Sequence, residues 1–223
     1  MKVLVLSHEY PPVGGGSGVI VKNIAEGFAS RGHEVAVVTT FFSGVDEQSV
    51  ENNVSVTRLK SRRKSSLKSN PWEMLSWIHR ANKFLKKHLE VEKYDVCLAN
   101  FALPGGEVAY TMKQVFHLPY VVLTHGFDLP WYCPEKMMWY HAACYQWIRK
   151  ICMQSERNYV RDDDLLKNIN AFLAGTESSN KLICNDVDAQ NQEIGISENA
   201  VAQYEEDLLA VVENCRSKGL CQR

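Results

Sequence analysis

The sequence predicts an α/β fold, a Rossmann-like doubly wound parallel sheet with an amphipathic helix at its C-terminal end. Two features lead there. Residues 1–18, MKVLVLSHEYPPVGGGSG, place an apolar run directly before a proline pair and a glycine cluster. Beyond them, short apolar runs alternate with longer segments of helical period, the sequence form of successive βαβ units.

Val3, Leu4, Val5 and Leu6 within Lys2–Ser7 form a continuous apolar run, the pattern of a parallel strand covered on both faces. Pro11 and Pro12 stop it. From Val19 the apolar spacing becomes helical, with Val19, Ile20, Ile24, Ala25 and Phe28 on one face of a helix from Gly18 to Arg31. Gly32 is its expected C-terminal stop. Glu34–Thr39 and Val54–Leu59 read as the next strands. Lys60 to Asn70, KSRRKSSLKSN, is polar and basic. It reads as a mobile, solvated loop, with residues 60–68 also suited to weak contact with an anionic acceptor or a membrane surface. Pro71 opens a long helix to about Val91, in which Trp72 and Trp77 read as packing residues. Asp95–Ala99 is a strand, Leu103-Pro104-Gly105-Gly106 turns into a helix ending near Phe116, and Leu118–Thr124 is a strand again. Ala171–Gly175 is expected to be the last strand. Residues 151–170 give no functional reading, and Asp162-Asp163-Asp164 suits a solvated turn or a helix N-terminus. Glu198 to Ser217 reads as one amphipathic helix with Val201, Tyr204, Leu208, Val211 and Val212 inward.

At 223 residues and 45% hydrophobic, the chain suits one large domain, or a domain plus an extension. A net charge of −1 gives no reason to expect nucleic acid as a partner. The N-terminal apolar run is too short for a signal peptide, and no run is long enough to span a membrane, so a cytoplasmic protein, peripheral to the membrane at most, is expected. Seven cysteines (Cys97, Cys133, Cys144, Cys152, Cys184, Cys215 and Cys221) form no C-x-x-C pair. They read as reduced, mostly buried thiols.

Gly14-x-Gly16-x-Gly18 is not the dinucleotide fingerprint, no acidic residue closes the second strand, and no P-loop motif is present. What remains is an anion site or a loop that merely turns tightly; as an anion site, the amides of Gly14, Gly15 and Gly16 would lie at the positive end of a helix dipole, with no Cβ to hold a ligand away. In doubly wound sheets ligands sit beyond the carboxyl ends of the strands. Gly14–Gly18, Asn100-Phe101 and Thr124–Asp128 should therefore converge on one cleft. His125 is followed by Gly126 and, three positions on, by Asp128. Its imidazole suits hydrogen bonding or proton transfer, with a nearby carboxylate able to fix its tautomer. His8 and Glu9 are candidates for the same cleft, whereas His33, His79, His88, His117 and His141 read as surface or packing residues. Neither His125 nor Gly15 is expected to fill the core.

The segments HEYPPVGGGSGVIVKNIAEGFASRGHEVAVVTT and ANFALPGGEVAYTMKQVFHLPYVVLTHGFDLPWY resemble the N-terminal domain of GT-B retaining glycosyltransferases of family 4. Ala171 to Ser179 resembles that domain's last strand and serine-bearing turn. The resemblance implies that Gly15 and Gly16 face the donor diphosphate and sugar and that His125 hydrogen-bonds the transferred sugar. It further implies that Asp128, with loop residues 127–135, shapes the acceptor side, while Gly14, Asn100 and Gly126 complete the substrate-binding set. It implies transfer from a nucleotide sugar to a glycosyl acceptor with retention and without a metal or other cofactor. Residues 1–185 correspond to the N-terminal domain and 186–223 to a linker and return helix. The family's donor domain, with its Lys or Arg and Glu-x7-Glu pair, has no counterpart here, so a separate donor-domain chain is an expected partner and the isolated chain is expected to be inactive; the alternatives are a non-catalytic sugar- or phosphate-binding or scaffold protein and a truncated gene product.

Overall fold

The computed structural model describes residues 1–88, 90–132, 134–174, 180–182 and 196–219. Its strands are β1 (Lys2–Leu6), β2 (Glu34–Thr40), β3 (Gln48–Glu51), β4 (Val54–Leu59), β5 (Val96–Asn100), β6 (Tyr120–Leu123), β7 (Arg157–Val160) and β8 (Asn180–Leu182). They form one sheet in the order β3-β4-β2-β1-β5-β6-β7-β8. Every neighbouring pair is parallel except β3–β4, which is antiparallel at the edge. The helices are α1 (Gly16–Ser30), α2 (Pro71–His88), α3 (Glu107–Phe116), α4 (Pro134–Gln154), α5 (Asp163–Phe172) and α6 (Glu198–Ser217).

The apolar runs are explained by burial on both faces. In β1, Val3 and Val5 join the core beneath α1 and α6, while Leu4 and Leu6 join the core beneath α2, α3, α4 and α5. A strand so placed has no solvent face, so alternation disappears from its sequence. The chain runs outward from β1 to β4, then returns to place β5 on the other side of β1. That reversal opens a crevice at the carboxyl ends of β1 and β5.

α6 is the C-terminal amphipathic helix read from the sequence. Ser197 caps it by accepting from the Ala200 amide at 3.2 Å. Gly27 on α1 lets it approach, since a Cβ there would lie 2.6 Å from Val201 Cγ1. Glu205 meets Arg31 at 3.1 Å and His33 at 2.7 Å, and the Tyr159 hydroxyl donates to Asp207 at 2.8 Å.

The last expected strand is displaced. Ala171 and Phe172 finish α5, Leu173 and Ala174 form a turn, and β8 begins at Asn180; residues 175–179, including the serine-bearing turn, lie outside the described residues. The Asp162 side chain caps α5 by accepting from the Leu165 amide at 2.8 Å. Leu165, Ile169 and Phe172 then repeat at helical spacing into the core. The acidic triplet is thus a cap and first turn, where carboxylates complement the dipole. Nor is the basic loop free. Gly14 N–H donates to Ser66 O at 2.7 Å, and the enclosed Arg63 donates to Ser65 O at 2.7 Å and Ser66 O at 3.1 Å. Lys60, Arg62, Lys64 and Lys68 stay exposed. Cys97, Cys152 and Cys215 are buried and Cys144 is half-buried; Cys133, Cys184 and Cys221 lie outside the described residues.

Candidate functional site

The carboxyl ends of β1, β5 and β6 meet beneath a cleft of about 290 Å³ lined by His8, Glu9, Gly15, Ser17, Phe101 and Asp128, among others. Behind its lining residues lies a buried hydrogen-bonded chain of Ser7, Asn100 and His125. Ser7 Oγ donates to Glu9 O and accepts from Asn100 Nδ2 at 2.8 Å. That orients Asn100 Oδ1 as the acceptor for His125 Nε2–H at 2.7 Å. The His125 ring is therefore the Nε2–H tautomer, with Nδ1 carrying the lone pair. Burial, reinforced by Arg161, lowers its pKa to about 3, so it is neutral at physiological pH.

The group that fixes the His125 tautomer is Asn100, not Asp128. Asp128 instead accepts the backbone amides of Ala102 at 2.8 Å and His125 at 3.0 Å. One carboxylate thus ties the loop after β5 to the loop after β6. Burial pushes its carboxyl up, against the backbone amides that favour its ionised form. His125, expected outside the core, is at 6% exposure a buried side chain. Its removal leaves a hole and an unpaired Asn100 oxygen.

Between the two histidines stands Phe101, held at φ +69°, a left-handed conformation unusual for an aromatic residue. Its ring centre is 5.5 Å from His8 and 4.8 Å from His125. Gly105 allows this turn to close, because a Cβ there would meet Asn100 O at 2.4 Å and Leu6 O at 2.7 Å. His8 is 3% exposed, and both ring nitrogens are buried without a hydrogen-bond partner. Burial and Arg63 lower its pKa to about 3. A neutral imidazole with two unused polar atoms on a cleft wall is a standing offer to a ligand.

The glycine turn divides its labour. Gly14 adopts φ +100°, and a Cβ there would sit 2.5 Å from Glu9 Cβ, so it makes the turn. Gly15 is open to the cleft, with nothing within 4 Å of the point a Cβ would occupy. No side chain caps α1, leaving first-turn amides at Gly16 and Ser17 for a partner outside the helix. Ser17 Oγ donates to Glu9 Oε2 at 2.8 Å. Gly126 is a packing residue instead: at φ +94° it lies under the Tyr132 ring, where a Cβ would be 2.5 Å away. His141, read as surface or packing, donates to Phe127 O at 3.0 Å and steadies the cleft rim. Leu67, Met74 and Tyr140 also line the cleft. They arrive from the basic loop, α2 and α4, and nothing local in their sequence marks them. Among the described residues, no cluster of three His, Cys, Asp or Glu side chains could hold a metal.

Comparison with known proteins agrees with this architecture. An uncharacterized glycosyltransferase of Methanocaldococcus jannaschii is 31% identical over 133 residues, 58% of this chain but 32% of the relative, so the chain spans about a third of that protein's length. A sucrose-phosphate synthase chain from Thermosynechococcus elongatus superposes with a TM-score of 0.68 at 12% identity, covering 95% of this chain and 99% of that one. A second chain of that synthase matches at 0.64 and 14% identity, covering 82% of this chain and 47% of that chain. Anabaena HepE in complex with UDP-glucose gives a TM-score of 0.53 at 16% identity, covering 83% of this chain and 44% of that one. These likenesses establish a GT-B type of fold. The family model of glycosyltransferase family 4 matches residues 14–186, and on that extent of agreement the chain belongs to glycosyltransferase family 4.

Proposed function

We propose that residues 1–223 form the acceptor-side wall of a retaining sugar transferase that uses a nucleotide-diphosphate sugar. The donor-binding wall lies outside these residues, on the same or another polypeptide. The observation that carries this reading is the convergence of an uncapped helix N-terminus and an unpartnered His8 on one cleft, with the neutral His125 held directly against its lining residues Phe101 and Asp128. The fit to all of one sucrose-phosphate synthase chain and to about half of another supports the division into two walls. The UDP-glucose held by HepE supports a nucleotide-sugar donor.

In this reading the Gly15, Gly16 and Ser17 amides and the α1 dipole stabilise the diphosphate as it departs, so no metal is required. The face of the sugar ring packs on Phe101. His125 accepts a sugar hydroxyl through Nδ1 while Asn100 holds the ring, and His8 and Glu9 bind hydroxyls on the acceptor side. Asp128 acts by positioning Ala102 and His125, not by touching the reacting atoms. The test is transfer in the completed two-wall enzyme, with the product anomer read by NMR. His125→Gln retains a donor for Asn100 but loses the imidazole acceptor. It is expected to lower turnover by about 10²-fold at nearly unchanged stability. Undiminished turnover, or an inverted product, overturns the reading.

A further inference from the structure

We infer that the acceptor is an amphiphile whose hydrocarbon chain lies in a groove between α2 and α4, running out of the cleft; this rests on the reading of the cleft as the site of sugar transfer. The groove is about 390 Å³ and is walled by Leu75, Ile78, Trp139, Ala143 and Trp147, with almost no polar surface. Met74, Leu103 and Tyr140 line both groove and cleft. A molecule with its polar head in the cleft therefore has one continuous apolar path outward. The Trp147 indole N–H is already engaged by Glu107 at 2.6 Å, so the groove presents carbon and no unmet donor from that ring.

The surroundings fit a lipid surface. Trp139 is 83% exposed and Trp72 75%, with Leu67 at 69% on the neighbouring loop. Indoles left in water at this level suit the membrane interface, where one end is apolar and the other wet. Arg62, Lys64 and Lys68 are exposed on the loop that carries Leu67, and that loop is fastened to the start of α2 through the Lys64 amide and Glu73 at 3.3 Å. An exposed leucine flanked by lysines, beside exposed indoles, is complementary to anionic headgroups over hydrocarbon. Among the described residues no helix is long and apolar enough to cross a membrane.

The probe is a series of butyl, octyl and dodecyl phosphates, each below its micellar concentration, titrated calorimetrically into the 223-residue chain. Binding should tighten by about threefold or more per added CH₂ over the length the groove holds. Ala143→Trp, at an exposed position on the groove wall, should abolish the chain-length dependence, and Leu75→Glu should do the same. Both variants should retain the amide-shift response of Gly15–Ser17 to UDP-glucose, which separates failure of the groove from failure of the transferase reading. In a second arm, vesicles of phosphatidylcholine with about 30 mol% phosphatidylglycerol should sediment the protein and pure phosphatidylcholine should not. Lys64→Glu with Lys68→Glu should release it. Affinity independent of chain length overturns the inference. So does a concentration-dependent dimer that Ala143→Trp dissociates, because a second copy then covers the groove.

Discussion

Replacing Asp128 by Asn tests the most consequential positioning contact in the site. Both carboxylate oxygens accept buried backbone amides, from Ala102 at 2.8 Å and His125 at 3.0 Å. An Asn side chain keeps one acceptor, now neutral, and turns an NH₂ group toward the other amide. One charge-assisted bond is weakened and the other becomes a donor facing a donor. With hydrogen bonds to charged groups worth about 1.5–3 kcal/mol, and relief from burying a charge offsetting part of the loss, the net cost is about 3 kcal/mol. For a chain of this size that lowers Tm by about 6–12 °C. Urea unfolding followed by circular dichroism, with thermal melts beside it, reads both quantities. Asp128→Ala, which strands both amides, should cost at least as much. A Tm for Asp128→Asn within about one degree of wild type would show that the carboxylate does not hold the two loops together.

The glycine turn should separate into two functions. Gly14→Ala places a Cβ against Glu9 in a left-handed residue and should destabilise by more than about 1 kcal/mol in the same melts, whereas Gly15→Val should melt like wild type yet weaken nucleotide-sugar binding in calorimetry. His8 and His125 have folded pKa values near 3 against about 6.5 when exposed. As pH falls below 6.5 the unfolded chain takes up these protons first, so stability is full above 6.5 and is lost toward pH 3, by about 1.4 kcal/mol per pH unit for each histidine. His8→Gln should flatten that limb of a urea-midpoint series, and an unchanged slope would mean that His8 is not held neutral.

The buried parallel strands were legible because burial on two faces writes an apolar run into the sequence, as in VLVL and YVVL. β7 was not: Arg157 and Asn158 interrupt its pattern, and Asn158 is tolerated at 0% exposure because Ser155 and the Cys152 carbonyl satisfy it. β3 is a polar edge held by Arg58 through Ser49 and Glu51. In the site, strand ends and glycines marked Gly14–Gly16, Asn100 and His125. The spacing that singled out Asp128 was visible, but its partners are backbone amides, which carry no side-chain signature. Tyr140 and Met74 reach the cleft only through the packing of α4 and α2.

The measurement closest to the central claim is an amide chemical-shift titration of the 223-residue chain with UDP-glucose. Binding should be weak, because one wall supplies the contacts. Shifts should be confined to Gly15, Gly16 and Ser17 and to residues 101 and 125–128 at the carboxyl edge of the sheet. No response up to about 10 mM, or shifts confined to the amino edge where β1 begins at Lys2, would contradict the account.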